Sequence, residues 1–193
     1  MRSPPPKPWR SLSEAAVTAA PARLQTARLL CLRPSADQLR DLEKLLRDAR
    51  VAATLLSAGI VPTKAEVAAN LVAKQGHWER HGFGLWTLYD RVDGSFVGRG
   101  GLQHTNATGE NEVEAGWAIV PERWGQGLAT ELALAAVGVG LGPLGLPSVI
   151  AYTLPENTAS RRVMEKAGFA YEREIDWVGL KHVLYRRSRR ARC

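Results

Sequence analysis

The stretch that most constrains the fold is Trp124-Gly-Gln-Gly-Leu-Ala-Thr130, a glycine-rich connection between a predicted strand and a predicted helix. Residues 112–120 before it are rich in strand formers and end at Pro121, while residues 129–136 after it have helix-forming composition. Glycine lets backbone N–H groups turn toward one point, and a helix N-terminus adds free N–H groups and the positive end of its dipole. This order predicts a phosphate-binding loop. The alternative is a tight turn in which the glycines serve only the backbone geometry.

Two common nucleotide-binding motifs do not fit this loop. A Walker loop continues from its last glycine with Lys and Ser or Thr, and here Leu128 and Ala129 follow Gly127. A dinucleotide-binding fingerprint needs a third glycine, and Thr130 occupies that position.

A second informative stretch lies thirty residues downstream, after the apolar run 148–154. It reads Asn157-Thr-Ala-Ser-Arg-Arg-Val-Met-Glu-Lys-Ala-Gly-Phe169. Together with the glycine loop, its preceding strand, the segment 26–33 and the runs 82–86 and 96–102, it resembles the GNAT superfamily of acetyl-CoA-dependent N-acetyltransferases. Within that superfamily the chain is most similar to the RimJ/RimL-type branch, over about residues 24–187.

Fold class follows from the pattern and the resemblance together. Strands are predicted at 28–33, 83–89, 96–102, 112–120, 148–154, 169–175 and 177–186, and helices at 37–46, 63–79, 126–139 and 157–167. Strands four and five are joined by a helix and should run parallel. The resemblance implies an α/β GNAT fold: a mixed, mostly antiparallel sheet of about seven strands with these two splayed apart, flanked by about four helices.

Composition indicates one domain and a cytoplasmic protein. We expect a flexible lead-in at 1–22, an acetyltransferase domain at 23–187 and a basic tail at 188–193. No run approaches a membrane span, and the first residues lack the apolar core of a secretory signal. The net charge of +7 comes from the ends, since residues 11–180 hold 17 basic and 19 acidic residues. Nucleic-acid binding is therefore expected, if anywhere, only through the basic tail.

The resemblance also implies which residues bind acetyl-CoA. The pantetheine arm would lie beside Trp117 to Val120, and the pyrophosphate would bind the amides from Gly125 through Thr130. The implied cofactor set, with the flanking side chains, is Ala118, Ile119, Val120, Arg123, Trp124, Gly125, Gln126, Gly127, Leu128, Ala129 and Thr130. Many relatives have Arg or Gln where this chain has Trp124, so Arg123 either supplies charge to the phosphates or is simply exposed.

Asn157 has two interpretations. It precedes a predicted helix and suits an N-cap, whereas the resemblance gives its side chain a hydrogen bond to the cofactor arm, with Ser160 assisting.

Acetyl transfer needs an amine without its proton and a donor to the carbonyl oxygen. Glu114 lies where several relatives have a base acting through water, and Glu112 points to the same face. The alternative for Glu114 is an exposed carboxylate at a strand edge. The carbonyl donor would be a backbone amide near Ile119. Met164 stands where many relatives have a tyrosine acid, which leaves open an acyl-CoA-binding module without turnover.

No metal site is predicted. His77 and His81 have helical spacing, but a zinc-protease motif needs the glutamate directly after the first histidine, and here Trp78 follows His77. His104 is expected as a lone histidine in a loop, either facing the acceptor or as an ordinary surface residue. The expected partners are acetyl-CoA and an amine acceptor, with no membrane, and the protein is a monomer or a homodimer.

Overall fold

The computed structural model describes residues 19–55 and 59–189, which form an eight-stranded sheet with helices on both faces. The strands, in chain order, are β1 (Arg23–Gln25), β2 (Leu29–Leu32), β3 (Leu85–Asp90), β4 (Phe96–Thr105), β5 (Glu112–Ile119), β6 (Ser148–Thr153), β7 (Ala170–Trp177) and β8 (Leu180–Ser188). The helices are α1 (Leu39–Leu46), α2 (Ala49–Ala52), α3 (Lys64–His81), α4 (Leu128–Leu141) and α5 (Thr158–Lys166). The strand order is β1-β2-β3-β4-β5-β6-β8-β7.

The fold class is confirmed, with two short elements beyond the expected count. The described residues contain eight strands and five α-helices instead of about seven and four. The additions are β1 and α2, of three and four residues, which are too short for hydrophobic periodicity to reveal. β4 continues to Thr105, so the expectation of His104 in a loop is wrong.

Both ends of the domain differ from the predicted boundaries. Ala20 is buried and its N–H donates to the carbonyl of Gly82 at 2.8 Å, so packing begins before residue 23. At the other end, β8 continues to Ser188. Most of the predicted lead-in and most of the basic tail lie outside the described residues. No helix within the described ranges is long and apolar enough to cross a membrane.

The parallel pair β5 and β6 touches at one place. Glu114 pairs with Ile150, and the rest of β5 has no partner on β6, whereas every residue of β5 is paired with β4. Glycines make the β4 side close: a Cβ at Gly98 or Gly100 would overlap carbonyl oxygens of β5. The two parallel strands therefore part directly after Glu114, as the resemblance implied.

The sheet separates two apolar layers. One layer packs β4, β5 and β6 against α4, with Leu102, Val113, Leu128 and Leu132 among its buried members. On the opposite face, Ala118 packs with α1 and α3. Side chains alternate between these faces along β5, so Glu114 and Ala118 share the α1–α3 side.

Candidate active site

The glycine loop presents free main-chain donors at the N-terminus of α4. Gly125 and Gly127 have φ values of +76° and +77°, in the left-handed region that glycine adopts without strain. Within the described part of the chain, no acceptor receives a hydrogen bond from the N–H groups of residues 125–130. Free main-chain N–H groups and the positive end of a helix dipole are the features that bind anions at helix N-termini, and the phosphate-binding role of residues 125–130 stays a prediction.

Hydrogen bonds among Thr26, Arg28 and Glu131, here called the polar clasp, support this loop. Glu131, in the first turn of α4, accepts from the Thr26 hydroxyl at 2.5 Å and from the backbone and Nε of Arg28, each at 2.7 Å. Arg28 also donates from Nη1 to the carbonyl of Gln126 at 2.8 Å. No role for these residues was predicted, although Thr26 and Arg28 lie in the segment that carried the family resemblance.

Arg123 is paired and only partly exposed, and its role toward the phosphates stays a prediction. Its Nη2 lies 2.5 Å from a carboxylate oxygen of Asp90, its Nε donates to the Gln126 side chain at 3.0 Å, and its side chain is only 23% exposed. The contact with Arg123 lowers the pKa of Asp90. Since Asp90 offsets the guanidinium charge, any role of Arg123 toward phosphate would be shared with that pair.

The end of β5 offers backbone groups to the gap between the parallel strands. Val120 donates its N–H to Val97 at 2.9 Å on the β4 side, so strand alternation turns the N–H groups of Trp117 and Ile119 to the other side. The Ile119 carbonyl is taken by the indole N–H of Trp124 at 2.7 Å, while the Trp124 side chain remains half exposed. The Ile119 amide stays the predicted donor to the reacting carbonyl.

Glu114 lies at the point where β5 and β6 part, and it is 7% exposed. Its carboxylate accepts from the Gln103 amide, and Gln103 accepts from the ammonium of Lys74 at 2.5 Å. Burial raises the pKa of Glu114 more than its hydrogen bonds with Tyr152 and Gln103 and the charge of Lys74 lower it. A carboxyl with a raised pKa is a better proton acceptor than an ordinary one.

Tyr152 completes this polar group from β6. Its hydroxyl lies 3.1 Å from the Thr105 hydroxyl, and burial together with the neighbouring charge of Glu114 raises the pKa of the phenol. Tyr152 therefore keeps its proton at neutral pH. Gln103, Lys74 and Tyr152 were missed at the sequence level because they lie on three separate elements and belong to no contiguous motif.

Glu112 is excluded as an alternative base by its partners. Its carboxylate is bound by the guanidinium of Arg186 and by the Thr108 hydroxyl, which lies 2.9 Å away. These contacts lower the pKa of Glu112. A carboxylate stabilised in its charged form is a poor proton acceptor, so the structure separates two glutamates that the sequence left on the same face.

Asn157 is the N-cap of α5. Its Oδ1 accepts from the Ser160 backbone at 3.1 Å, and its Nδ2 donates to the Thr54 carbonyl at 3.2 Å. The capping interpretation is thus met, and the cofactor role of Asn157 and Ser160 stays a prediction. Met164 is fully buried in the apolar layer beneath α4 and α5, so it contributes packing and no proton.

A family model described as an acetyltransferase (GNAT) domain matches residues 28–170, about three quarters of the chain. The chain belongs to the GNAT acetyltransferase family. This confirms the family expected from the glycine loop and the Asn157 segment.

Curated relatives match over part of their length. YkkB of Bacillus subtilis is 32% identical over 95 residues, which cover 49% of this chain and 55% of that protein. An FsC-acetyl coenzyme A-N(2)-transacetylase of Aspergillus fumigatus is 37% identical over 97 residues, covering 47% of this chain and 40% of that protein. The matched stretches thus span about half of these relatives or less.

Solved structures share the fold over nearly their whole length. A GNAT-family acetyltransferase from Bacillus anthracis has a TM-score of 0.72 and 23% identity, with 86% of this chain and 98% of that one covered. RimL, a ribosomal L7/L12 α-N-protein acetyltransferase solved with coenzyme A, has a TM-score of 0.69 and 14% identity, with 85% and 96% covered.

Proposed function

We propose that this chain transfers the acetyl group of acetyl-CoA to a primary amine by direct attack in a ternary complex. The observation that carries the proposal is the set of free N–H groups at residues 125–130, placed beside parallel strands that part directly after Glu114. The loop would bind the diphosphate of acetyl-CoA, and the gap along Trp117 to Val120 would receive the pantetheine arm. The thioester would then lie near Glu114.

Glu114 would act as the general base, directly or through a water molecule. It takes a proton from the acceptor ammonium, and the freed amine attacks the thioester carbon. The carbon–sulfur bond then breaks to release the thiolate, which takes up the second proton lost by the nitrogen as the amide forms. The Ile119 amide would stabilise the developing negative charge on the carbonyl oxygen. Since an alkyl thiol has a pKa of about 8.5, its thiolate leaves near neutral pH without the tyrosine that Met164 replaces.

An α-amine is the acceptor class that suits this site best. An α-amino group has a pKa near 8 and a lysine amine one near 10.4, so the former presents far more neutral amine to a single weak base. RimL, whose fold this chain shares, is named for acetylating the α-amine of a ribosomal protein. A protein N-terminus of RimJ/RimL type or a small α-amine is therefore the proposed acceptor, in the cytoplasm.

Thiol release from acetyl-CoA across a panel of α-amines, lysine amines and N-terminal peptides tests the proposal. In Glu114→Gln we expect kcat/KM to fall by about 10²- to 10⁴-fold while the Kd for coenzyme A is unchanged, because the base acts on the acceptor. Glu112→Gln is the matched control on the same strand face, and its kcat/KM should stay near that of the unaltered protein.

Burial of Met164 favours a second candidate, an acyl-CoA-binding module without turnover. It predicts tight coenzyme A binding with no thiol release from any amine. Failure of coenzyme A to bind at all would overturn both candidates. Equal losses in Glu114→Gln and Glu112→Gln would remove the role given to Glu114.

A further inference from the structure

Three histidines that are far apart in the sequence meet at the end of α3. His77 and His81 lie one turn apart on α3, and His104 reaches them from β4. Their ring centroids are 4.4 to 5.6 Å apart, and one nitrogen from each ring lies within 4.8 Å of the other two. Among the described residues, the cluster makes no hydrogen bond to Glu114 or to the side chains of Gln103 and Tyr152.

Hydrogen bonds fix the tautomers of two of these rings. His77 Nδ1 lies 2.8 Å from the carbonyl of Phe83, which can only accept, so Nδ1 carries the proton and Nε2 the lone pair. That lone pair accepts only the backbone N–H of His104, at 3.1 Å. His104 Nδ1 lies 3.1 Å from Asn111 Oδ1, which leaves its own Nε2 lone pair available.

This arrangement is the one that metal-bound histidines use. A ligating imidazole commonly donates its other N–H to a carbonyl, which orients the ring and increases its basicity. His81 is exposed, which provides a path for an ion to enter.

We propose that His77, His81 and His104 bind a late first-row divalent cation, for which Zn²⁺ is the probe. Imidazole nitrogen suits Zn²⁺, Ni²⁺ and Cu²⁺, and the cluster found among the described residues contains no carboxylate that would favour Mg²⁺ or Ca²⁺. Three nitrogens leave one position of a tetrahedral centre for water. Binding requires the exposed His81 ring to close on the other two, and the 3.1 Å hydrogen bond from the His104 N–H to His77 Nε2 to be exchanged for the ion.

Such an ion would join the C-terminal end of α3 to β4. Lys74 on α3 and Gln103 on β4 are already linked at 2.5 Å, so the ion would strengthen the packing between the same two elements. The expected consequence is stability of the domain, with no part in acetyl transfer.

Titration calorimetry with Zn²⁺ on the untagged full chain, in a Cys193→Ser background that removes the terminal thiol, tests the site. We expect one equivalent to bind and the thermal midpoint to rise. His81→Ala should weaken binding at least ten-fold, and Asn111→Ala by about ten-fold through loss of the partner that orients His104. Co²⁺ absorption provides a second readout of the nitrogen ligands.

Arg80→Ala is the matched control, because it removes a neighbouring side chain of α3 that does not belong to the cluster. It should leave the affinity for Zn²⁺ unchanged. The proposal is overturned by absence of saturable binding, or by binding that His81→Ala and Asn111→Ala do not weaken.

Discussion

The side of the site proposed for the cofactor is made of main-chain N–H groups from six consecutive residues, whereas the side proposed for the acceptor is made of side chains from α3, β4, β5 and β6. The first depends on backbone conformation at Gly125 and Gly127 and needs no particular side chain. The second depends on a partly buried chain of contacts from Lys74 through Gln103 to Glu114. A loop can therefore tolerate changes of side chain that would disable the buried network.

The largest expected effect beyond that of Glu114 is on the acceptor side. Gln103→Leu leaves the Glu114 carboxylate and the Lys74 ammonium without the amide that joins them, so we expect the unfolding free energy to fall by about 2 kcal/mol. Chemical denaturation measures it. Gln75→Leu is the control on α3, since it removes one long contact of 3.4 Å to the Pro34 carbonyl and should cost much less. Equal losses of unfolding free energy in both variants would show that the contacts of Gln103 with Lys74 and Glu114 do not contribute more than an ordinary surface contact.

A smaller effect is expected on the cofactor side. Gly125→Ala adds a Cβ that meets no atom within 4 Å, so its cost is the strain of the left-handed conformation, about 1–2 kcal/mol. If the loop binds the diphosphate, the Kd for coenzyme A should rise about 5- to 30-fold while kcat changes little.

Gly179→Ala is the matched control, since Gly179 has a φ of +78°, equally open surroundings and a place in the turn between β7 and β8. It should lose similar stability with no change in affinity. An unchanged affinity for coenzyme A in Gly125→Ala would contradict the assignment of this loop as the diphosphate-binding site.

The smallest effect is on the pH profile. Because burial raises the pKa of Glu114, activity should fall as pH decreases through a value above the ordinary 4.3 of glutamate, when measured with an acceptor amine of low pKa. Lys74 lowers that pKa, so Lys74→Met should move the acid limb to higher pH. The pH dependence of kcat measures this shift. An acid limb at the same pH in Lys74→Met would show that Lys74 does not influence the pKa of the base.

The glycine loop could be predicted from the sequence, whereas the side-chain network around Glu114 could not. The glycine loop, the Asn157 segment and the long helices and strands could be predicted because each lies in one contiguous stretch with a recognisable residue pattern. Gln103, Tyr152 and the His104 contact could not, because pairing across strands brings them to their partners, and no local pattern records that pairing. The charge pair of Arg123 with Asp90 spans 33 residues and was hidden for the same reason.

The clasp at Glu131 also bears on how the protein is made. Thr26 and Arg28 emerge during synthesis more than a hundred residues before the glutamate that binds them. The hydrogen bonds that support the glycine loop therefore cannot form until α4 has been made and the first strands have docked against it. Contacts over such a sequence separation slow folding. If the loop binds acetyl-CoA, the ability to bind it would then show that the segment with Thr26 and Arg28 has docked against α4.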